Sequence, residues 1–393
     1  MRVALIIAAS AVLAGCAHAG GSAALPSGYG APFAVPEAAF KSLYSFKTIP
    51  DGMEPVGGMV LLNGTLYGTT QVGGQGDAGA VFASSTAGKE RVLYSLGTGG
   101  GPDGVFPVAG LVVLNGVFYG TATSGGQNGF GAVFKVDKSG KESLVYSFKG
   151  SGDGSGPYAG LTSYKGSLYG TTIQGGGSSN CQQGCGTVFA VTTAGKEHVV
   201  YAFKGGNDGA SPVSNVIVVN SAILGTTANG GKNGTGTIFK TSAAGKEQVL
   251  HSFGSGFDGA EPEAGLVSLN GKLYGTTNGG GRHFNGTVFS TTAAGSEHVV
   301  YDFKGGSDGA NPEANVVVFK SALYGTTAGG GAANVGTVFS VSPSGSEHVL
   351  HAFKSTSEGS DPRSSLVLDG ASLYGTTSMG GANQVGTIFK VTP

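Results

Sequence analysis

Short apolar runs separated by glycine-rich polar segments cover most of the chain, and they recur in register. The run Leu-Tyr-Gly-Thr-Thr returns with its glycine at Gly68, Gly120, Gly170, Gly225, Gly275, Gly325 and Gly375, varied to Phe-Tyr-Gly-Thr-Ala in the second copy and Ile-Leu-Gly-Thr-Thr in the fourth. The steps are 52, 50, 55, 50, 50 and 50 residues. One copy reads as four strands. In the fifth, Gly265 to Leu269 is apolar, Asn270-Gly271 supplies two positive-φ residues for a tight hairpin, and Lys272 to Thr277 returns. These are strands A and B. A glycine-rich loop then leads into Gly286-Thr287-Val288-Phe289, and a turn at Ala294-Gly295 leads into His298 to Phe303, strands C and D. A near-constant period of this length points to a radial β-array rather than a catalytic α/β domain, and four antiparallel strands per 50 residues describe a propeller blade.

The ends of the array are complementary. The last copy stops at Val391 without a strand D, while an orphan strand D, Leu43 to Phe46, precedes the first copy. Zipping the N-terminal strand onto the last blade would close a ring and remove two exposed edges. The sequence therefore predicts an all-β protein: a seven-bladed β-propeller over residues 40–393, closed by an N-terminal strand that completes the seventh blade.

The recurrent LYGTT, the GG-rich loop, the GTVF element and the GKE-type turn before an apolar strand closely resemble the GloVer tandem-repeat family of bacterial surface proteins. The resemblance covers residues 40–393. It implies a repeat scaffold and carries over no catalytic residues. Kelch propellers share the approximate period and a glycine doublet, but their blades lean on a tryptophan and this chain has none.

Composition narrows the function. Glycine makes up 76 of 393 residues at fixed phases beside apolar ones, which argues for ordered turns rather than disorder. Charged residues are 11 % and the net charge is −1, so nucleic acid is not an expected partner. At the N-terminus, Met1-Arg2, the apolar stretch Val3 to Leu13 and Leu13-Ala14-Gly15-Cys16 look like a bacterial lipoprotein signal. The expectation is a signal peptide over 1–15, lipidation at Cys16, and a flexible tether over 16–39 reaching roughly 25–30 Å. The membrane would be contacted only through this anchor, at the outer membrane of a bacterial cell envelope, by a monomer; the alternative is an extracellular protein. An ordinary signal peptide cut near Ala19 is the alternative. Cys181 and Cys185 lie in the insertion that lengthens the third repeat, where an oxidising compartment favours a small disulfide over a metal site.

Propeller connectivity puts the B–C and D–A loops on one face. The D–A loop repeats Asp-Gly-x-x-Pro at Asp51, Asp103, Asp153, Asp208, Asp258 and Asp308, with Glu358 seventh. Seven carboxylates suggest calcium, but an aspartate before glycine more simply bonds its own turn, so no metal or cofactor is expected. The residue after each proline should face the central channel, and around the ring it reads Val56, Val108, Tyr158, Val213, Glu263, Glu313 and Arg363. Glu263, Glu313 and Arg363, with Arg282 and His283 from the blade-five B–C loop, form the candidate binding arc. An exposed Glu/Arg pair of little worth is the plainer reading. His198, His298, His348, His251 and His351 are expected to be exposed edge residues, and the recurrent strand-B tyrosines to pack the blades.

No nucleophile motif, phosphate loop or metal-ligand spacing appears. Two functions remain: a lipid-anchored binding or scaffolding module presenting its loop face to a protein or glycan, or a propeller hydrolase or lyase acting on polysaccharide or another cell-envelope substrate through the charged arc.

Overall fold

The computed structural model describes residues 38–99, 102–354 and 357–393. The expected signal peptide, Cys16 and all but the end of the expected tether lie outside them. Seven four-stranded antiparallel sheets follow one another. Blade one consists of strands A (Val60–Leu62), B (Thr65–Thr70), C (Ala80–Ser85) and D (Glu90–Ser95). The other blades repeat it, and the one helical turn among the described residues is the 3-10 segment Gly206–Asp208. Strands A, B and C of blade seven are Val367–Asp369, Ser372–Thr377 and Thr387–Thr392, and Ala39–Ser45 pairs antiparallel with Thr387–Thr392 as its strand D. The ring is closed as the complementary ends predict.

Why each strand B needs glycine is visible in the sheet. Gly275 stands opposite Phe289 on strand C, and a Cβ at Gly275 would lie 2.7 Å from that ring. The same pairing joins Gly68 to Phe82 and Gly375 to Phe389. The phenylalanine ring lies across the space that the missing side chain leaves, so the two motifs specify each other's register. These rings also weld the blades. The phenylalanine ending strand D meets the strand-C phenylalanine of the next blade edge-to-face at 5.0–5.3 Å, from Phe46–Phe82 around to Phe353–Phe389, with Leu96 serving at the first joint. The apolar core is thus seven clusters, one between each pair of neighbouring blades.

A second weld is polar. The first threonine of each Gly-Thr-Thr donates its hydroxyl to a backbone carbonyl of the following blade: Thr69 to Ala109, Thr121 to Ala159, Thr171 to Ser214, Thr226 to Ala264, Thr276 to Ala314 and Thr326 to Ser364. Thr376 donates to Pro55 at 2.8 Å and completes the circle. All seven hydroxyls are buried, where an unpaired carbonyl would cost about 1–3 kcal/mol.

Candidate functional site

Each D–A loop is built to aim one residue at the channel. Its acid is spoken for: Asp51 accepts the Tyr44 hydroxyl at 2.6 Å and the Lys47 N–H at 2.9 Å. Tyr94–Asp103, Tyr146–Asp153, Tyr201–Asp208 and Tyr301–Asp308 repeat the clasp. His251–Asp258 and His351–Glu358 replace the phenol by an imidazole. These two histidines are therefore half-buried clasp members rather than the exposed edge residues the sequence suggested, because the residue seven positions ahead of the loop acid is held against it. The carboxylates do not converge on one point; each serves its own turn, as expected from Asp-Gly chemistry.

The residue before the proline is left-handed in every loop: Glu54, Phe106, Gly156, Ser211, Glu261, Asn311 and Asp361 have φ between 54° and 62°. That conformation lets its N–H reach the preceding blade's B–C loop, as Glu261 does to the Thr235 carbonyl at 2.8 Å, while its carbonyl accepts from its own blade, here Asn278 N–H at 2.9 Å. The proline then lies against the glycine that opens the preceding strand C. A Cβ on Gly236 would approach Pro262 Cδ to 2.5 Å, so that glycine is compulsory. Held from both sides, the next residue projects inward.

All seven post-proline residues, Val56, Val108, Tyr158, Val213, Glu263, Glu313 and Arg363, line one cavity of about 740 Å3. Its polar groups are gathered in an arc. Arg363 Nη1 lies 3.1 Å from Glu313 Oε2, and Arg363 Nε donates to both oxygens of Asp361 at 2.8 Å. Ser378 fixes Asp361 in turn with a 2.7 Å hydrogen bond. Burial disfavours the Arg363 charge, yet Asp361 and Glu313 hold the guanidinium above its ordinary range. Burial pushes Glu313 up to about 7 against the pull of Arg363, and raises Glu263 with help from Glu261. Tyr158, 46 % exposed and within electrostatic reach of Glu263, Arg363 and Glu313, supplies an aromatic face. Glu54 also lines the cavity, which makes four carboxylates against one guanidinium.

His283 and Arg282 do not join this group. The blade-five B–C loop folds outward onto its own strand D: the Arg282 N–H donates to Asp302 Oδ2 at 3.0 Å and His283 Nδ1 lies 3.4 Å from the same oxygen. Four of the equivalent loops bond to a serine there, Ser45, Ser95, Ser147 and Ser252, as Gln75 N–H does with Ser95. The Arg282 guanidinium sits over Phe257, 5.5 Å from its centroid. Tyr158 and Asp361 were not singled out from sequence. Arg363 carried the only hint of Asp361, two residues away.

Cys181 and Cys185 form a disulfide, S–S 2.06 Å. It belongs to the loop face as a brace: Cys185 is fully buried, its carbonyl accepts the Ser211 N–H of the adjoining D–A loop, and both sulfurs crowd Gly205.

The sequence profile of the Gloeobacter/Verrucomicrobia repeat matches residues 2–220, 175–326 and 291–393. No curated protein matches the chain. Among solved structures, the BP39L lectin from Burkholderia pseudomallei superposes with a TM-score of 0.57 at 10 % identity, over 91 % of this chain and 95 % of that one. An ancestral GH74 enzyme gives 0.53 at 13 % identity, over 87 % of this chain and 48 % of the enzyme, and a puromycin hydrolase gives 0.50 at 9 %, over 81 % and 49 %. The chain spans about half the length of those two enzymes. At these identities the likeness is one of fold.

Proposed function

This chain belongs to the Gloeobacter/Verrucomicrobia repeat family, and we propose that it is a binding module that takes a neutral, hydroxyl-rich ligand, a glycan segment, at the channel mouth of its loop face. The observation that carries this reading is the asymmetric arc: seven equivalent positions converge on one cavity, and acceptor groups crowd one side of it opposite an exposed Tyr158. Carboxylates and asparagine carbonyls suit ligand hydroxyls, the excess of acid disfavours anionic glycans, and a tyrosine face accepts the apolar side of a sugar ring. A lectin of the same fold is consistent with this use of a propeller. The test is a glycan array probed with wild type and with the Glu263→Ala, Glu313→Ala, Arg363→Ala triple variant and Tyr158→Ala. Binding should be lost in both variants; equal binding by the triple variant ends the proposal.

A hydrolytic reading has one observation in its favour, the Glu313 carboxyl held near 7, where a general acid works best. Turnover of a neutral polysaccharide abolished by Glu313→Gln alone would select it. We further propose that Cys16 is lipidated and tethers the module to the cell envelope, consistent with a disulfide of the kind oxidising compartments allow. Cys16→Ala should release the protein from the membrane fraction, and unchanged partitioning would remove the anchor.

A further inference from the structure

Six of the seven joints between blades share a third member in addition to the clasp. The glutamate that opens strand D approaches the preceding blade's clasp acid: Glu90 faces Asp51, Glu142 faces Asp103, Glu197 faces Asp153, Glu247 faces Asp208, Glu297 faces Asp258 and Glu347 faces Asp308. Five of these joints carry tyrosine, whose phenol keeps its proton and donates a hydrogen bond to the aspartate. The joint between blades four and five carries His251 instead. An imidazole offers what a phenol at neutral pH does not, a nitrogen lone pair. Here it stands between two carboxylates. His251 Nε2 lies 2.9 Å from Asp258 Oδ2, and donor atoms of His251, Asp258 and Glu297 all fall within 4.8 Å of one another, the one such group among the described residues. Glu297 Oε1 is shut off from solvent and has no hydrogen-bond partner, and the same holds for the matching oxygen of the other five glutamates, so only the imidazole sets this joint apart.

From this geometry we propose that His251, Asp258 and Glu297 bind a divalent transition-metal ion, zinc foremost, across the joint between blades four and five. One imidazole and two carboxylates make three of four tetrahedral ligands, with water as the fourth. Bonds of about 2.0–2.2 Å would set the donors roughly 3.3–3.6 Å apart, so His251 Nε2 and Asp258 Oδ2, now hydrogen-bonded at 2.9 Å, would part slightly and the ion would take the place of the proton between them. The imidazole selects zinc over calcium or magnesium, which prefer oxygen alone. Side-chain exposure of 20 % at His251 and 11 % at Asp258 leaves a way in for the ion, while the Gly254 and Ser255 N–H groups hold the second oxygen of Asp258 and orient it. The chain contains its own control. At the joint between blades six and seven, His351 meets Glu358, but Phe40 stands where the glutamate would be and stacks on the imidazole at 3.6 Å, so this joint lacks the strand-D glutamate. This inference is independent of the channel site.

The experiment uses the whole protein, stripped with a chelator and titrated with ZnCl2 by calorimetry, with bound metal counted by atomic emission. Wild type should take up one equivalent that withstands gel filtration. His251→Tyr, which rebuilds a joint found five times in this chain and so should fold, and Glu297→Gln should each weaken uptake at least tenfold, while His351→Tyr should leave it unchanged. Absence of stoichiometric zinc in wild type, uptake by His251→Tyr equal to wild type, or tighter binding of calcium than of zinc overturns the proposal.

Discussion

Two rings occupy the same seven blades and obey different rules. In the threonine ring the side chain is the same at Thr69, Thr121, Thr171, Thr226, Thr276, Thr326 and Thr376, because each must hand a proton to a carbonyl of the next blade. In the post-proline ring the backbone is equally uniform, yet the side chains are valine, tyrosine, glutamate and arginine. A repeat fixes identity where a side chain bonds to a neighbour's backbone and releases it where the side chain meets a cavity. Asymmetry within the second ring is therefore where ligand selection can reside.

Removing the strand that closes the propeller on which both rings sit should have the largest effect. Deleting residues 38–46 takes away strand D of blade seven and the Phe46–Phe82 contact, leaving Thr387–Thr392 as an open edge. The expected outcome is aggregation and loss of a cooperative melt, read by light scattering and circular dichroism. A melt like that of wild type would mean that closure is dispensable. Gly275→Ala forces a methyl against the Phe289 ring and should cost about 3 kcal/mol in urea denaturation. Thr121→Val strands the Ala159 carbonyl and should cost about 1–3 kcal/mol. If that change were free, the uniform ring would have no energetic basis.

Between the two rings in expected effect lie the acid pairs of the outer joints. Burial, then Asp103, pushes Glu142 up to about 7. A carboxyl raised on folding contributes stability that is fully present below its ordinary range near 4.5 and is lost as pH rises through about 7. Glu142→Gln should thus gain about 1 kcal/mol at pH 8, allowing for solvent screening, and nothing at pH 4.5. Denaturant midpoints at the two values check it. Smallest of all, Glu313→Ala should shift stability by no more than about 0.5 kcal/mol while it removes ligand binding. A large loss of stability would place Glu313 with the threonines, as structure rather than site.

Most of the scaffold was legible because its signals are local and repeated. Gly-Thr-Thr, Gly-Thr-Val-Phe and the hairpin dipeptides each state a short-range constraint that recurs around the ring, and the complementary ends are legible because each lacks what the other supplies. The post-proline ring was legible for the same reason, since a proline at fixed phase sets where the next side chain points. His283 was misread into that ring because nearness along the chain does not say which way a loop folds. Asp302, standing where other blades have Ser95 or Ser147, draws the loop outward. His251 and His351 were taken for edge residues because the clasp depends on a loop acid seven residues later, a pairing that strand periodicity does not report. Phe40 taking the place of a glutamate beside His351 could be found only once strand Ala39–Ser45 was set in register against Thr387–Thr392.

The closing strand also carries a consequence in time. Ser45 accepts a hydrogen bond from Ala382, 337 residues later, so a strand made early waits for a partner made late. At roughly 5–20 residues per second, ribosomes need on the order of 17–70 s to supply its partner. Throughout that interval Ala39–Ser45 is an unsatisfied edge, because its partner strand Thr387–Thr392 does not yet exist. The yield of folded protein should accordingly respond to the speed of synthesis, a quantity on which the stability of the finished ring does not depend.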